Sequence, residues 1–345
     1  MKSLAVKYRP NTFETVCGNQ VTVQILQRVL ELNSPKNAYL FAGPSGCGKT
    51  TLARLFANAL NGGIGDPHEI DAASNNGVDA VRAIMESANQ RSLTGTYKIY
   101  IIDECHAITT AGWQAFLKGI EETPEYTIFM FCTTEPNKIP ATILNRVQRF
   151  NIAKIDTVAI KNRLLYICQQ EGFTNYEDTC ELISKLCDGC MRDAITKLDQ
   201  CADLSADLRL ENTKLVLGEA PFERMLKLTN YMSGGNEQFT LAAIDTLYRE
   251  GKDLKQFTTE YLSFVLELTR YILFKNIAFT NIPAYLEDHA DPMINVKHTT
   301  SFDENALAWF NYLADKLLEI KNAVKYDTSV KAVVEAYLLQ VCRKV

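Results

Sequence analysis

The stretch Gly43-Pro44-Ser45-Gly46-Cys47-Gly48-Lys49-Thr50 constrains the architecture of this chain more than any other. The pattern G-x-x-x-x-G-K-[ST] works only between a strand and a helix, because its backbone amides curl around a phosphate at a helix N-terminus. The flanks comply. Ala38–Ala42 is a short apolar run, and residues 51–60 have helical composition until Asn61-Gly62-Gly63 stops them. A strand that feeds a helix in this way belongs to a parallel sheet covered on both faces.

The neighbouring sequence supplies the rest of such a sheet. Residues 98–102 and 127–132 are continuous apolar runs bounded by polar turns, as buried strands are, while 69–71 and 147–152 read as shorter strands. Val78, Val81, Ile84, Met85 and Ala88 recur at helical spacing. After about residue 155 the strand signal fades. Leu164, Leu165, Ile167 and Cys168 share one helix, and Leu182, Ile183 and Leu186 another. From 214 onward the pattern is helical, with Tyr261, Phe264, Val265, Leu268, Tyr271 and Ile272 as one apolar stripe and a loop expected from Asn281-Ile282-Pro283 to Pro292. Three domains are expected: 1–155, α/β; 156–213, small and helical; 214–345, larger and helical. A length of 345 residues suits two or three cores.

Within the loop, Lys49 is expected to reach the β and γ phosphates, and the Thr50 hydroxyl to hold Mg²⁺. Downstream, Ile99-Tyr100-Ile101-Ile102-Asp103-Glu104 carries two carboxylates off the end of an apolar strand. That delivers them to the carboxyl edge of the sheet, where open α/β sheets bind ligands. Asp103 is expected to hold the magnesium through its water shell, and Glu104 to orient the attacking water. ATP binding with hydrolysis is the chemistry these two motifs share.

Composition narrows the class. An apolar fraction of 47% with 22% charged residues is that of a folded protein, and a formal charge of −5 argues against a broadly basic nucleic-acid binder. Ten cysteines without regular spacing, and Lys7 and Arg9 where a signal peptide needs its apolar run, point to a reducing cytoplasm. The apolar runs are too short to span a bilayer, so no membrane is expected.

Further motifs go beyond a generic P-loop. Lys7-Tyr8-Arg9-Pro10 followed by Phe13, Val16 and Gly18 comes first, then Ile70-Asp71-Ala72-Ala73-Ser74 and Asp103-Glu104-Cys105-His106. Leu117-Lys118-Gly119-Ile120-Glu121-Glu122-Thr123-Pro124-Glu125, Cys132-Thr133-Thr134, Ile139-Pro140-Ala141-Thr142-Ile143-Leu144-Asn145-Arg146 and Gly189-Cys190-Met191-Arg192-Asp193-Ala194 follow. In this order they resemble the AAA+ clamp-loader ATPases, the gamma/tau subunits of bacterial DNA polymerase III, over residues 7 to 199. The resemblance implies a five-stranded AAA+ domain, a helical lid and an all-helical collar. It implies a circular pentamer with other loader subunits, a sliding clamp and primer–template DNA as partners, the replicative polymerase as a further partner, and action in the cytoplasm of a bacterium or of a virus's host. Carried over residue by residue, Thr134 matches the γ-phosphate sensor and Arg146 the arginine finger that reaches a neighbour's ATP. Arg192 matches the second sensor on the lid. Tyr8, Arg9, Pro10 and Val16 fall at the adenine end, and Thr51 follows the loop.

The chain departs from the family pattern in three places. Asn145-Arg146-Val147 stands where Ser-Arg-Cys is usual. Only residues 62–69 fill the place of the family's four-cysteine zinc module, so no zinc is expected there. Asn75, Asn76 and Gly77 replace the usual basic residues after Ala73-Ser74, so DNA contact at this helix start would rest on amides, with Arg82, Arg91 and Lys98 either adding charge or lying as solvated surface residues.

Some features have two readings. Cys180, Cys187, Cys190 and Cys201 suggest zinc through one C-x-x-C pair, but no second close pair exists and buried thiols are the preferred reading. His106 is read either as a relay of the hydrolytic state or, by preference, as a structural hydrogen-bonded histidine. The stripe from Tyr261 to Tyr271 is preferred as core or oligomer seam over a base-stacking platform. Against the clamp-loader motor stand a different AAA+ machine, such as a branch-migration helicase, and a non-hydrolysing loader subunit. The Lys7–Pro10 signature disfavours the former, and the intact Lys49, Asp103, Glu104, Thr134 and Arg192 disfavour the latter.

Overall fold

A computed structural model describes residues 3–92, 95–122, 124–217, 221–274, 280, 304–325 and 329–343. The chain divides into two compact units, Met1–Leu208 and Arg209–Val345. The loop expected between 281 and 292 lies outside the described residues.

The first unit is built on five parallel strands: β1 (Ala38–Ala42), β2 (His68–Asp71), β3 (Lys98–Asp103), β4 (Thr127–Thr133) and β5 (Gln148–Asn151). Their order is β2-β3-β4-β1-β5. The three central strands are apolar in their middles because both faces are covered, and successive side chains leave to opposite sides. Tyr39, Phe41, Ile99, Ile101, Ile128 and Met130 pack on one side, against α2 (Gln20–Glu31) and α3 (Lys49–Leu60). Leu40, Tyr100, Ile102, Phe129 and Phe131 pack on the other, against α4 (Val78–Ala88) and α5 (Thr110–Glu122). Phe129 and Phe131 have no solvent exposure, so each contributes roughly 1.5–3 kcal/mol of burial.

Strand order sets the geometry of the site. β4 lies between β1 and β3, so the chain leaving β4 passes between the P-loop and the two carboxylates that follow β3. The Gly43 N–H donates to Thr133 O at 3.1 Å, which ties the start of the loop to the end of β4.

The short helices α1 (Leu4–Lys7) and α6 (Ala141–Leu144) and the three helices α7 (Thr157–Glu171), α8 (Glu177–Leu186) and α9 (Met191–Leu204) complete the unit. Asp156 caps α7 by accepting from the Val158 N–H, and Gly172 ends it in the left-handed conformation, φ 73°. Of the residues singled out by periodicity, Leu164, Ile167, Cys168, Leu182 and Ile183 are buried, while Leu165 and Leu186 are half-buried; Ala194 and Leu198 of α9 are buried with them.

The second unit is entirely helical among its described residues: α10 (Leu210–Leu217), α11 (Pro221–Ser233), α12 (Glu237–Arg249), α13 (Leu254–Phe274), α14 (Glu304–Ala323) and α15 (Val330–Cys342). The apolar stripe of α13 is its core, with Tyr261, Phe264, Val265, Leu268, Tyr271 and Ile272 all buried. The Tyr261 hydroxyl meets Thr229 Oγ1 at 2.8 Å, which satisfies the one polar atom that the ring carries inside. No helix among the described residues is long and apolar enough to cross a membrane.

Candidate nucleotide site

The first unit carries a cleft of about 350 Å³. Its floor is the P-loop from Ser45 to Thr50 with Thr51, its far end is Asp103 and Glu104, and Tyr8, Arg9, Pro10 and Val16 form one wall. Arg163 of α7 and Met191, Arg192, Ile195, Thr196 and Asp199 of α9 also line the cleft.

Two glycines of the loop are explained by close contacts. A Cβ on Gly43 would lie 2.1 Å from the Ile152 carbonyl oxygen at the end of β5. A Cβ on Gly46, at φ +68°, would lie 2.1 Å from Cys190 Sγ and 3.3 Å from Arg192 Cβ. The bare backbone at Gly46 is therefore where the lid touches the P-loop, and the Arg192 N–H faces Gly46 O at 3.5 Å. The Cys47 thiol points inward, toward Gly189 O at 3.4 Å, and burial pushes its pKa up, with Cys190 adding to the effect.

Lys49 is buried within the loop, its ammonium donating to Pro44 O at 2.9 Å. Thr50 Oγ1 donates to Asp103 Oδ2 at 2.9 Å, joining the loop to the end of β3. The other Asp103 oxygen accepts the Glu104 N–H at 3.0 Å. Glu104 adopts φ 45°, ψ 42°, a left-handed conformation that a non-glycine residue holds at a cost of about 1–3 kcal/mol. The turn aims its carboxylate back over the strand ends, where Thr134 Oγ1 donates to Oε2 at 3.2 Å. Thr134 is thus joined to the cleft through Glu104 without itself lining it.

Arg192 lines the cleft and Arg146 does not. Arg146 is exposed just after α6, with Nε donating to Glu121 Oε1 at 2.7 Å and Nη1 to Thr142 O at 2.8 Å. The Arg9 pKa is lowered, first by burial and then by Arg54, with Glu69 and Asp103 opposing and Arg192 adding to the effect. Arg9 therefore sits within electrostatic reach of the Asp103 end of the cleft.

A set of contacts that the sequence did not reveal holds the N-terminal segment to the lid. The Leu4 N–H donates to Asp199 Oδ2 at 3.0 Å, and Arg163 Nη2 to Tyr8 O at 2.9 Å. Glu171 accepts from both Lys7 Nζ, at 2.7 Å, and the Tyr8 hydroxyl. Burial, with the bond to Glu171, pushes the Tyr8 pKa up to about 12. Its only sequence signal was a glutamate at the end of a helical pattern.

The segment after β2 is a hydrogen-bonded turn. Asp71 Oδ1 accepts the Ala73 N–H and Oδ2 the Ser74 hydroxyl, while Asp71 O takes both the N–H and the side-chain amide of Asn75. Asn76 is exposed, Gly77 starts α4, and Arg82 is exposed beside Asp79 at 3.2 Å. Lys98 corrects the surface reading given to it. It is 8% exposed and its ammonium donates to Ser87 O and Oγ at 2.6 and 3.0 Å, because the first residue of β3 starts beneath the end of α4. Arg91 lies over the Tyr126 ring at 5.2 Å. Cys180 meets Cys168, Sγ to Sγ 3.6 Å, and Cys187 and Cys201 are buried. No group of three or more His, Cys, Asp or Glu side chains converges on a common point among the described residues.

Residues 62–156 match the family model described as DNA polymerase III, delta subunit. DNA polymerase III subunit tau of Bacillus subtilis is 36% identical over 76% of this chain and 51% of its own length. The gamma/tau subunit of Mycoplasma genitalium is 33% identical over 79% and 49%, and the Escherichia coli tau subunit 30% identical over 76% and 44%. The chain therefore spans about half the length of these relatives. Among solved structures, the Thermotoga maritima RuvB Holliday junction branch migration motor superposes with a TM-score of 0.52 at 20% identity, covering 64% of this chain and 78% of that one. That likeness concerns the fold. With the P-loop and the paired carboxylates at the ends of parallel strands of one sheet, and with relatives at 30–36% identity, the chain is a gamma/tau-like protein of AAA+ fold.

Proposed function

We propose that this chain binds ATP with Mg²⁺ and hydrolyses it as the motor subunit of a sliding-clamp loader in DNA replication. The observation that carries the reading is the junction of Thr50, Asp103 and Glu104 at the end of a cleft that the lid also lines. The amides of the loop and Lys49 bind the phosphates. Thr50 and Asp103 offer hard oxygen donors that suit Mg²⁺, which when bound neutralises charge on the β and γ phosphates. Glu104 orients water and withdraws its proton, and Thr134 holds the same carboxylate. Arg192, carried by the lid helix that touches Gly46, couples the lid to the phosphates.

The position of Arg146 supports an assembly reading. Exposed and paired with Glu121 outside its own cleft, it is available to a neighbouring subunit's ATP. A guanidinium supplied in trans stabilises transition-state charge only when the interface is closed, so hydrolysis reports on assembly. Other loader subunits in a circular pentamer, a sliding clamp, primer–template DNA and the replicative polymerase are the partners this role requires. The site of action is the cytoplasm of a bacterial cell or virus-infected host. The exposed turn at Asn75, Asn76 and Gly77, with Arg82, is the proposed DNA contact. Because it rests mainly on amides, its salt dependence is shallow.

The experiment is steady-state ATP hydrolysis by the chain with its loader partners, with and without clamp and primed DNA. The rate rises when both are present; a rate indifferent to them would remove the loader reading. Glu104→Gln retains ATP binding while kcat falls about 10²–10⁴-fold. Loss of ATP binding in that variant would make the carboxylate structural.

A further inference from the structure

The helical turn after Glu104 brings a second side chain, beside Thr134, to the same carboxylate. His106 lies in the turn Cys105–Ala107, its side chain 19% exposed, with Nδ1 3.3 Å from Glu104 Oε2 and 3.2 Å from Thr133 Oγ1. On the far side of the ring, Nε2 is 3.4 Å from Glu135 Oε1, which Lys138 Nζ holds at 2.9 Å. Thr133 Oγ1 also accepts the Glu135 N–H at 3.0 Å, so the end of β4 and the segment after it frame the imidazole.

We propose that His106 is a positioning residue for ATP hydrolysis, holding one oxygen of Glu104 so that the other faces the attacking water. The inference rests on the reading of Glu104 as the water-orienting group. An ionised carboxylate only accepts hydrogen bonds, so the ring serves Oε2 in the tautomer that carries its hydrogen on Nδ1, a nitrogen that also meets Thr133 Oγ1. Oε2 accepts the Thr134 hydroxyl and lies 3.3 Å from Nδ1, while no hydrogen bond from the described residues reaches Oε1. A carboxylate anchored through one oxygen has lost its rotation about the last side-chain bond. Its second oxygen is then held in one direction, on a residue that lines the cleft. The left-handed backbone at Glu104 gives the anchor its purpose. The strained turn brings the carboxylate over the strand ends, and the bonds from β4 and His106 hold it there.

The test separates anchoring from packing by atom position. An asparagine places its side-chain amide near the position of Nδ1, whereas a glutamine reaches toward that of Nε2. His106→Ala is expected to lower kcat about 10–100-fold, as small misplacements of a reacting group do, with the KM for ATP within about two-fold of wild type. His106→Asn recovers most of the rate and His106→Gln does not. In the Glu104→Gln background, His106→Ala brings no further loss, because the group it positions is already gone.

A wild-type kcat for His106→Ala, beside a collapsed Glu104→Gln, would overturn this proposal and leave the reading of Glu104 intact. Full activity in Glu104→Gln would overturn both. Parallel losses of kcat and ATP affinity with no recovery in the asparagine variant would make His106 a packing residue. If the alanine variant does not fold, the asparagine and glutamine variants decide alone, and equal rates in those two would sink the idea.

Discussion

Gly46→Ala tests the contact between P-loop and lid more directly than any change to a charged residue. Two terms oppose the added methyl. The first is conformational, since φ +68° costs an alanine about 1–2 kcal/mol. The second is steric, since the Cβ falls 2.1 Å from Cys190 Sγ, and forcing a group into a filled contact costs about 1–3 kcal/mol. The sum, about 2–5 kcal/mol, corresponds to a fall in Tm on the order of 5–15 °C for a unit of this size. Cys190→Ala separates the two terms. It removes the sulfur and leaves Cys190 Cβ at 3.6 Å and Arg192 Cβ at 3.3 Å from the new methyl, so about half the loss returns and the backbone strain remains. Thermal unfolding of the four variants, read beside fluorescent-nucleotide binding, supplies the cycle. Melting of Gly46→Ala within about 2 °C of wild type, or no recovery on adding Cys190→Ala, would show that the lid does not rest on the loop.

The N-terminal clasp predicts a pH effect. Tyr8 has a folded pKa of about 12 against an ordinary value of about 10, so the folded state keeps a proton that the unfolded chain sheds. Its stabilisation is complete below pH 10 and is lost as pH rises through 12; Tyr8→Phe reduces this alkaline drop, and a tyrosinate titration identical in wild type and Tyr8→Phe above pH 11 would refute the assignment. Lys98→Met leaves DNA affinity unchanged, because the ammonium is buried on Ser87, and lowers stability by about 1–3 kcal/mol through the unpaired carbonyl. A weaker, less salt-dependent DNA complex in that variant would return Lys98 to the surface role. Arg82→Ala, at an exposed position beside Asp79, weakens primer–template binding with no change in thermal stability; unaltered DNA affinity would remove it from the interface.

Much of the first unit was legible because its signals are local. A strand buried on both faces must be apolar in its middle, and β1, β3 and β4 could be read on that ground. The loop between β1 and α3 announces itself because backbone curvature demands glycine at fixed places. The stripe of α13 was legible for the same reason, since a helix packed on one side must repeat its apolar residues every three or four positions. Lys98 misled because charge is a poor guide to burial when an ammonium can reach a carbonyl at the end of a neighbouring helix.

What the sequence determined by itself was the set of chemical groups on which the proposed site is built: the loop from Gly43 to Thr50, Asp103 and Glu104 after an apolar run, and Arg192 further along. Only the tertiary structure decided their joint arrangement. The order β3-β4-β1 puts Thr134 against Glu104 and His106 against Glu104 and Thr133, and the fold of α7 and α9 sets Cys190 on Gly46 and Glu171 on Tyr8. These partners are far apart along the chain. Their meeting depends on which strands become neighbours and which helix covers which face, a choice made by the packing of the whole core.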